Sequence, residues 1–157
     1  MVKLVQLSFF NLCAYDQQKD LTLYRTISRK VFSYLKYYLG QDVPIQRLGL
    51  DEFFIDISNL LNNSNYNDIQ NTHCIFDQTQ LTDIHLKCIF ITSDIRKKIW
   101  DNFNLTCSAG ISENIMLAKL VGGLHKPNQQ AILNAVNHEQ IQTFLDTFTL
   151  RKLNGKI

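Results

Sequence analysis

The sequence contains only two prolines, one tryptophan and six glycines, and none of its cysteines stand at CxxC spacing. With no such pair, Cys13, Cys74, Cys88 and Cys107 read as free thiols of a reducing compartment rather than as a disulfide framework. His73-Cys74, followed by His85 and Cys88, has the residue types of a zinc set, but its spacing matches no common structural zinc site. No uninterrupted apolar run approaches the ~20 residues needed to span a bilayer, so no membrane partner is expected. A dense basic charge is missing too. Sixteen Lys and Arg against fourteen Asp and Glu leave a net charge of +2, which permits contact with phosphates but is less than a self-sufficient nucleic-acid binder usually shows. The start, MVKLVQLSFFNLCAY, places Lys3 before an apolar stretch. Gln6, Ser8 and Asn11 interrupt that stretch, so a strand or an untethered terminus fits better than a leader peptide.

What is present suits one globular domain. The 157 residues are 45% hydrophobic and 19% charged, and a chain of this length buries roughly 70% of the surface its unfolded form exposes. Asp20 can cap a helix whose apolar stripe is Tyr24, Ile27, Val31, Tyr34, Leu35 and Tyr38, ending near Gly40. After Pro44 the chain restarts in extended form, and Ile45 to Leu48 and Phe53 to Ile57 read as strands joined near Gly49 to Glu52. Asn59 to Gln80 is rich in Asn, Gln and Asp, and reads as a long mobile loop.

Ile84, Cys88, Ile91, Ile95, Ile99 and Phe103 have helical spacing, although the IFIT cluster at 89 to 92 is β-branched and weakens the start. Leu105 to Ile111 predicts a strand, Ser112 a cap, Glu113 to Val121 a helix, and Gly122-Gly123 its stop. A short strand over Gln130 to Leu133 and a helix over Glu139 to Phe148 follow. There is no internal repeat and no proline-rich linker. The pattern predicts an α+β fold, with helices packed on a mainly antiparallel sheet.

The hairpin places Asp51 and Glu52 side by side in an apolar setting, LGLDEFFIDIS. Neighbouring strand residues point to opposite faces, so the two carboxylates converge only if the bend re-aims one. At about 4 Å their repulsion is on the order of 4 kcal/mol at an effective dielectric of 20, which a cation would have to offset. Mg²⁺ suits such a site because it takes hard oxygen ligands and leaves positions for substrate phosphates. A solvated hairpin tip is the plainer explanation. Further on, Lys119 lies on a predicted helix and Lys126 directly precedes Pro127, where an ammonium could meet a phosphate as a point charge. A solvated turn explains Lys126 equally well.

Taken together, GLDEFFIDIS and LTCSAGISENIMLAKLVGGLHKPNQQAIL resemble two palm segments of the Y-family translesion DNA polymerases. The first is similar to the family's acidic hairpin. The second is similar to a strand ending in Gly-Ile, a helix with Leu-Ala-Lys, and then Lys-Pro-Asn. DLTLYRTISRKVFSYL resembles the helix before that hairpin. The resemblance implies a partial polymerase palm over 21–149, with a poorly determined segment at 1–20 and the start of a helix-hairpin-helix thumb at 150–157. It implies template-directed nucleotidyl transfer from a dNTP to a primer 3′ end opposite damaged DNA, by two-metal catalysis with Mg²⁺ or Mn²⁺. Asp51 and Glu52 match catalytic, metal-ligating carboxylates, and Lys126 matches a triphosphate-binding lysine. Lys119 matches the Leu-Ala-Lys position, with a structural role ahead of a phosphate-facing one, and Asp56 matches a pattern position without a catalytic role.

The implied partners are primer-template DNA and dNTP in a full-length enzyme, and the implied location is the nucleus, from likeness to a eukaryotic branch of the family. Nothing in the sequence sets an oligomeric state. Departures from the pattern are equally specific. Ile115 stands after Asn114 where the family has lysine, and the family's N-terminal aspartate strand finds no counterpart in LSFFNLCAYD, whose Phe9, Phe10, Tyr15 and Asp16 have the wrong order. The fingers segment is also missing, so the chain is expected to be incomplete and inactive alone. The alternative is a noncatalytic palm-like domain that binds nucleic acid or a protein partner. A third option is an unrelated α+β domain with an acidic turn.

Overall fold

The computed structural model describes residues 3–9, 21–63 and 72–148. One six-stranded sheet organises them, in the order β2-β3-β1-β5-β6-β4. The strands are β1 (Leu4–Phe9), β2 (Ile45–Leu48), β3 (Glu52–Asp56), β4 (Thr72–Cys74), β5 (Cys107–Ser112) and β6 (Gln130–Ile132). The helices are α1 (Thr22–Leu39), α2 (Asp83–Phe103), α3 (Ile115–Leu124) and α4 (His138–Asp146). β1, β3, β2 and β5 pair antiparallel, whereas β6 runs parallel to both β5 and β4. The fold is thus α+β on a mixed sheet, and none of its described helices is long and apolar enough to cross a membrane.

β1 is a central strand, hydrogen-bonded to β3 on one side and β5 on the other. Of the two expectations for this segment, a strand or an untethered terminus, the strand is the one that forms, and its described residues carry no acid. Its period-two alternation explains the placement. Val5, Leu7 and Phe9 enter the core beneath α1 and α2 with Val31, Leu35, Phe53, Ile55, Ile95 and Ile99, while Gln6 and Ser8 face the other way. On that second face Leu117, Val121, Ala131, Leu133 and Phe144 bury α3 and α4.

The hairpin of β2 and β3 forms as expected, with Glu52 already in the strand. α1 also forms as expected, ending at Gly40; Asp20, its expected cap, lies outside the described residues, and Leu21 occupies the N-cap with no side-chain bond. α2 is helical from Asp83, because Thr82 and His85 close a capping box that outweighs the β-branched residues following it. In the Asn-rich stretch, Ser58–Asn63 form a 3-10 helix and Thr72–Cys74 form β4, which the composition did not indicate. β4 is held from outside: Gln130 Nε2 donates to Thr72 Oγ1 at 2.6 Å, and the Phe76 amide donates to Asn134 Oδ1 at 2.8 Å.

Two boundaries around α3 differ from expectation. Ser112 ends β5, and the cap is Asn114, whose side chain accepts from the Leu117 amide at 2.9 Å. The helix also runs through Gly122 and Gly123 to Leu124 instead of stopping. Gly122 serves packing there. A Cβ at Gly110 would stand 2.0 Å from the Ala118 carbonyl oxygen and 2.4 Å from the Gly122 nitrogen, so only two glycines let α3 rest this close to β5.

Candidate active site

The candidate residues converge at one end of the β3-β1-β5 ladder. Register sets Glu52 opposite Ser8, and Ser8 opposite Ser108. Asp51 precedes β3 in the turn, where its carbonyl accepts from the Phe9 amide at 3.0 Å and ties the hairpin tip to β1. Both carboxylate residues are half-buried, which fits neither a bare solvated tip nor a closed core.

Each lysine singled out by the sequence reaches this row. Lys119 extends from α3 to Glu52, with Nζ 3.0 Å from Oε2, and both side chains are largely shielded. Lys126, in the exposed loop after α3, donates to Ser8 Oγ at 2.6 Å. That contact joins residues 118 positions apart in sequence. The Lys126 loop is itself held: Arg96 on α2 donates to the Asn128 carbonyl at 2.8 Å, to Asn128 Oδ1 at 2.9 Å and to the Cys107 carbonyl at 2.9 Å. His125 stacks on His73 of β4 with ring centroids 4.1 Å apart, and burial together with the neighbouring imidazole pushes its pKa down.

Ser8 and Arg96 are residues that sequence reasoning left without a role. The polar positions of LVQLSF were the available signal for Ser8, since alternation alone sends Gln6 and Ser8 to one face. Nothing in the sequence pointed to Arg96.

Other candidates separate from the site. Ile115 lies beside Leu4, Ile45, Phe54 and Asp56, at the opposite end of the β1-β3 ladder from Ser8 and Glu52. The missing charge there is therefore remote from the acid pair. Asp56 accepts from the Ser58 amide at 2.9 Å and from Ser58 Oγ at 2.5 Å, a local turn bond that explains its presence. Phe10, Tyr15 and Asp16 lie outside the described residues. Cys88 and Cys107 are buried, and burial raises both thiols to about 11. Among the described residues no three His, Cys, Asp or Glu side chains gather as a metal set.

The same observation tests whether the acid pair fits a divalent ion. Glu52 has Leu48 and Ser8 as its strand neighbours, Ser108 lies beyond Ser8, and an ammonium already sits on its carboxylate. One carboxylate already paired with an ammonium, beside neutral serine hydroxyls, does not make the oxygen-rich, anionic set that Mg²⁺ requires. The donors among the described residues do not fit the ion.

Against this geometry, the impB/mucB/samB family matches residues 7–123. The chain is 31% identical over 157 aligned residues to DNA polymerase iota of Drosophila melanogaster, covering 87% of this chain and 20% of that protein. It is 32% identical to DNA polymerase iota of Homo sapiens, covering 73% and 17%. To DNA polymerase IV of Vibrio vulnificus strain YJ016 it is 28% identical, covering 86% and 30%. The chain thus spans less than a third of the length of these relatives. In fold it is similar to a solved insertion ternary complex of Dbh DNA polymerase, with a TM-score of 0.63 at 14% identity, covering 98% of this chain and 54% of that one. The sheet that aligns Ser8, Glu52 and the two lysines is therefore a polymerase-type palm, and the chain belongs to the impB/mucB/samB family of Y-family polymerases.

Proposed function

We propose that the chain acts as the palm of a translesion DNA polymerase, whose whole form carries out template-directed nucleotidyl transfer from a dNTP to a primer end opposite damaged bases. Primer-template DNA and dNTP are its partners in this reading. Asp51 and Glu52 form the acid pair beside the reacting phosphate, and Lys126 contacts the triphosphate. The observation that carries the reading is the meeting of Lys126 with Ser8, directly across the ladder from Glu52. An ammonium needs only proximity to a phosphate, and the loop after α3 brings one to the edge of the acid pair. Lys119 holds Glu52 in place and is a positioning residue. The similar Dbh polymerase was solved as an insertion ternary complex, which supports the choice of partners. Because the donor set among the described residues does not fit Mg²⁺ or Mn²⁺, the chain's own residues bind and orient, and no transfer step is assigned to it alone.

The test is binding of a fluorescent primer-template duplex followed by titration with dNTP. DNA affinity should fall steeply with salt through counterion release. Lys126→Ala should weaken dNTP binding about tenfold, the worth of one charge-assisted hydrogen bond. Failure to bind dNTP, or indifference to Lys126→Ala, overturns the assignment. A second reading, a noncatalytic palm-like domain that binds nucleic acid, is favoured by the serine opposite Glu52. It predicts salt-sensitive DNA binding with no dNTP binding at all.

A further inference from the structure

We propose that Ser8 is the residue that keeps the acid pair from being a divalent-cation site, and that the Lys119 ammonium holds the Glu52 carboxylate in place of a metal ion while Lys126 takes the Ser8 hydroxyl. The inference rests on the reading of Asp51 and Glu52 as a palm acid pair, but its test uses neither DNA nor nucleotide.

Residues directly opposite in an antiparallel pair bring their Cβ atoms to about 4.5–5.5 Å. Ser8 is the one described strand neighbour of Glu52 placed between it and β5, and it is 5% exposed. A carboxylate at that position would lie within bridging reach of Glu52. A hydroxyl there supplies a neutral oxygen that is already taken by Lys126 Nζ at 2.6 Å. The next residue in the row is Ser108, whose hydroxyl is buried and has no hydrogen-bond partner among the described residues. From Glu52 inward the row therefore holds two neutral hydroxyls, while Lys119 occupies the Glu52 carboxylate at 3.0 Å. Among the described residues the Glu52 carboxylate is already paired, and a divalent ion would have to displace the Lys119 ammonium to bind it. Converting Ser8 to aspartate should not leave a stranded buried charge, because Lys126 is in place to pair with it.

The experiment is Mn²⁺ binding followed by the loss of free-ion electron paramagnetic resonance signal. The native chain should bind weakly. Ser8→Asp should bind at least about tenfold more tightly, since it adds a hard anionic ligand. Ser8→Asn, of matching size and neutral, should stay with the native chain, and Glu52→Gln in the Ser8→Asp background should abolish the gain. Native binding as tight as that of Ser8→Asp, a folded Ser8→Asp with no gain, or a gain that survives Glu52→Gln each overturns the proposal. Should circular dichroism show that Ser8→Asp does not fold, Lys119→Gln decides. Freeing the Glu52 carboxylate should tighten Mn²⁺ binding several-fold, and an unchanged affinity overturns the charge-balance argument.

Discussion

Ser8 and Glu52 face each other across the β1-β3 ladder, and Lys126 closes on Ser8 from the loop after α3. Three segments far apart in sequence therefore share one row of the sheet, and the character of that row is set by what each contributes. A single hydroxyl where a carboxylate could stand leaves the row one negative charge poorer.

The close approach of α3 to β5 makes the two glycine-bearing regions unequal. Gly110→Ala would force a methyl into the Ala118 carbonyl and the Gly122 backbone. It should cost about 3 kcal/mol, since backbone on both sides leaves nothing to yield. Gly123→Ala meets nothing within 4 Å, and should be neutral or stabilise the helix by up to about 1 kcal/mol. Urea unfolding of both variants checks the contrast.

The Lys119-Glu52 ion pair is shielded on both sides, with side-chain exposures of 26% and 19%. A double-mutant cycle with Lys119→Met and Glu52→Gln should return a coupling energy of about 1 kcal/mol, above that of an ordinary exposed pair. A coupling indistinguishable from zero would mean that the pair does not form in solution.

His85 couples the start of α2 to pH. Burial first, and the nearby charge of Lys3 second, push its pKa down, against a smaller opposing effect from Glu113. Its Nδ1 accepts from the Thr82 amide, so protonation there opens the capping box. Below about pH 6.5 the unfolded chain takes up a proton that the folded chain resists. Stability should therefore be full above that value and fall as pH drops toward the folded-state pKa. His85→Gln closes the same box without titrating, and should flatten the fall between about pH 7.5 and 5.5, with the remaining slope contributed by His125 beside His73. Urea midpoints across that range provide the measurement.

Arg96 holds the Lys126 loop against β5 through the Asn128 and Cys107 carbonyls and the side chains of Asn128 and Gln130. Arg96→Met should destabilise the chain by about 1–2 kcal/mol, and Arg96→Lys should not restore the loss, because one ammonium cannot span the forked contacts. The Ala109 amide, which donates to the Gln129 carbonyl, should exchange faster with solvent in both variants.

Much of the fold was legible in the chain. The stripe of α1, the β2-β3 hairpin, β5, β6 and α4 follow from hydrophobic period and turn residues, because each buries a face that its own sequence displays. β4 was not legible, since three residues pairing only with β6 carry no periodic signal, and their partner Gln130 lies 58 positions away. The end of α3 was misread for a related reason: glycine pairs commonly stop helices, but here Gly122 is required by the contact with Gly110. Of the candidate site, the acid pair and Lys126 stood out by residue type and motif, whereas Ser8 and Arg96 did not.

The sequence by itself determined most of the helices and strands, the faces they bury, and which family the two motif segments resemble, because those properties are written in local pattern. Only the tertiary structure decided that Ser8 stands opposite Glu52, that Lys119 and Lys126 close on that row, and that Ile115 lies at the far end of the ladder. Strand register and helix docking set those distances, and both depend on packing between segments that no single stretch of chain specifies.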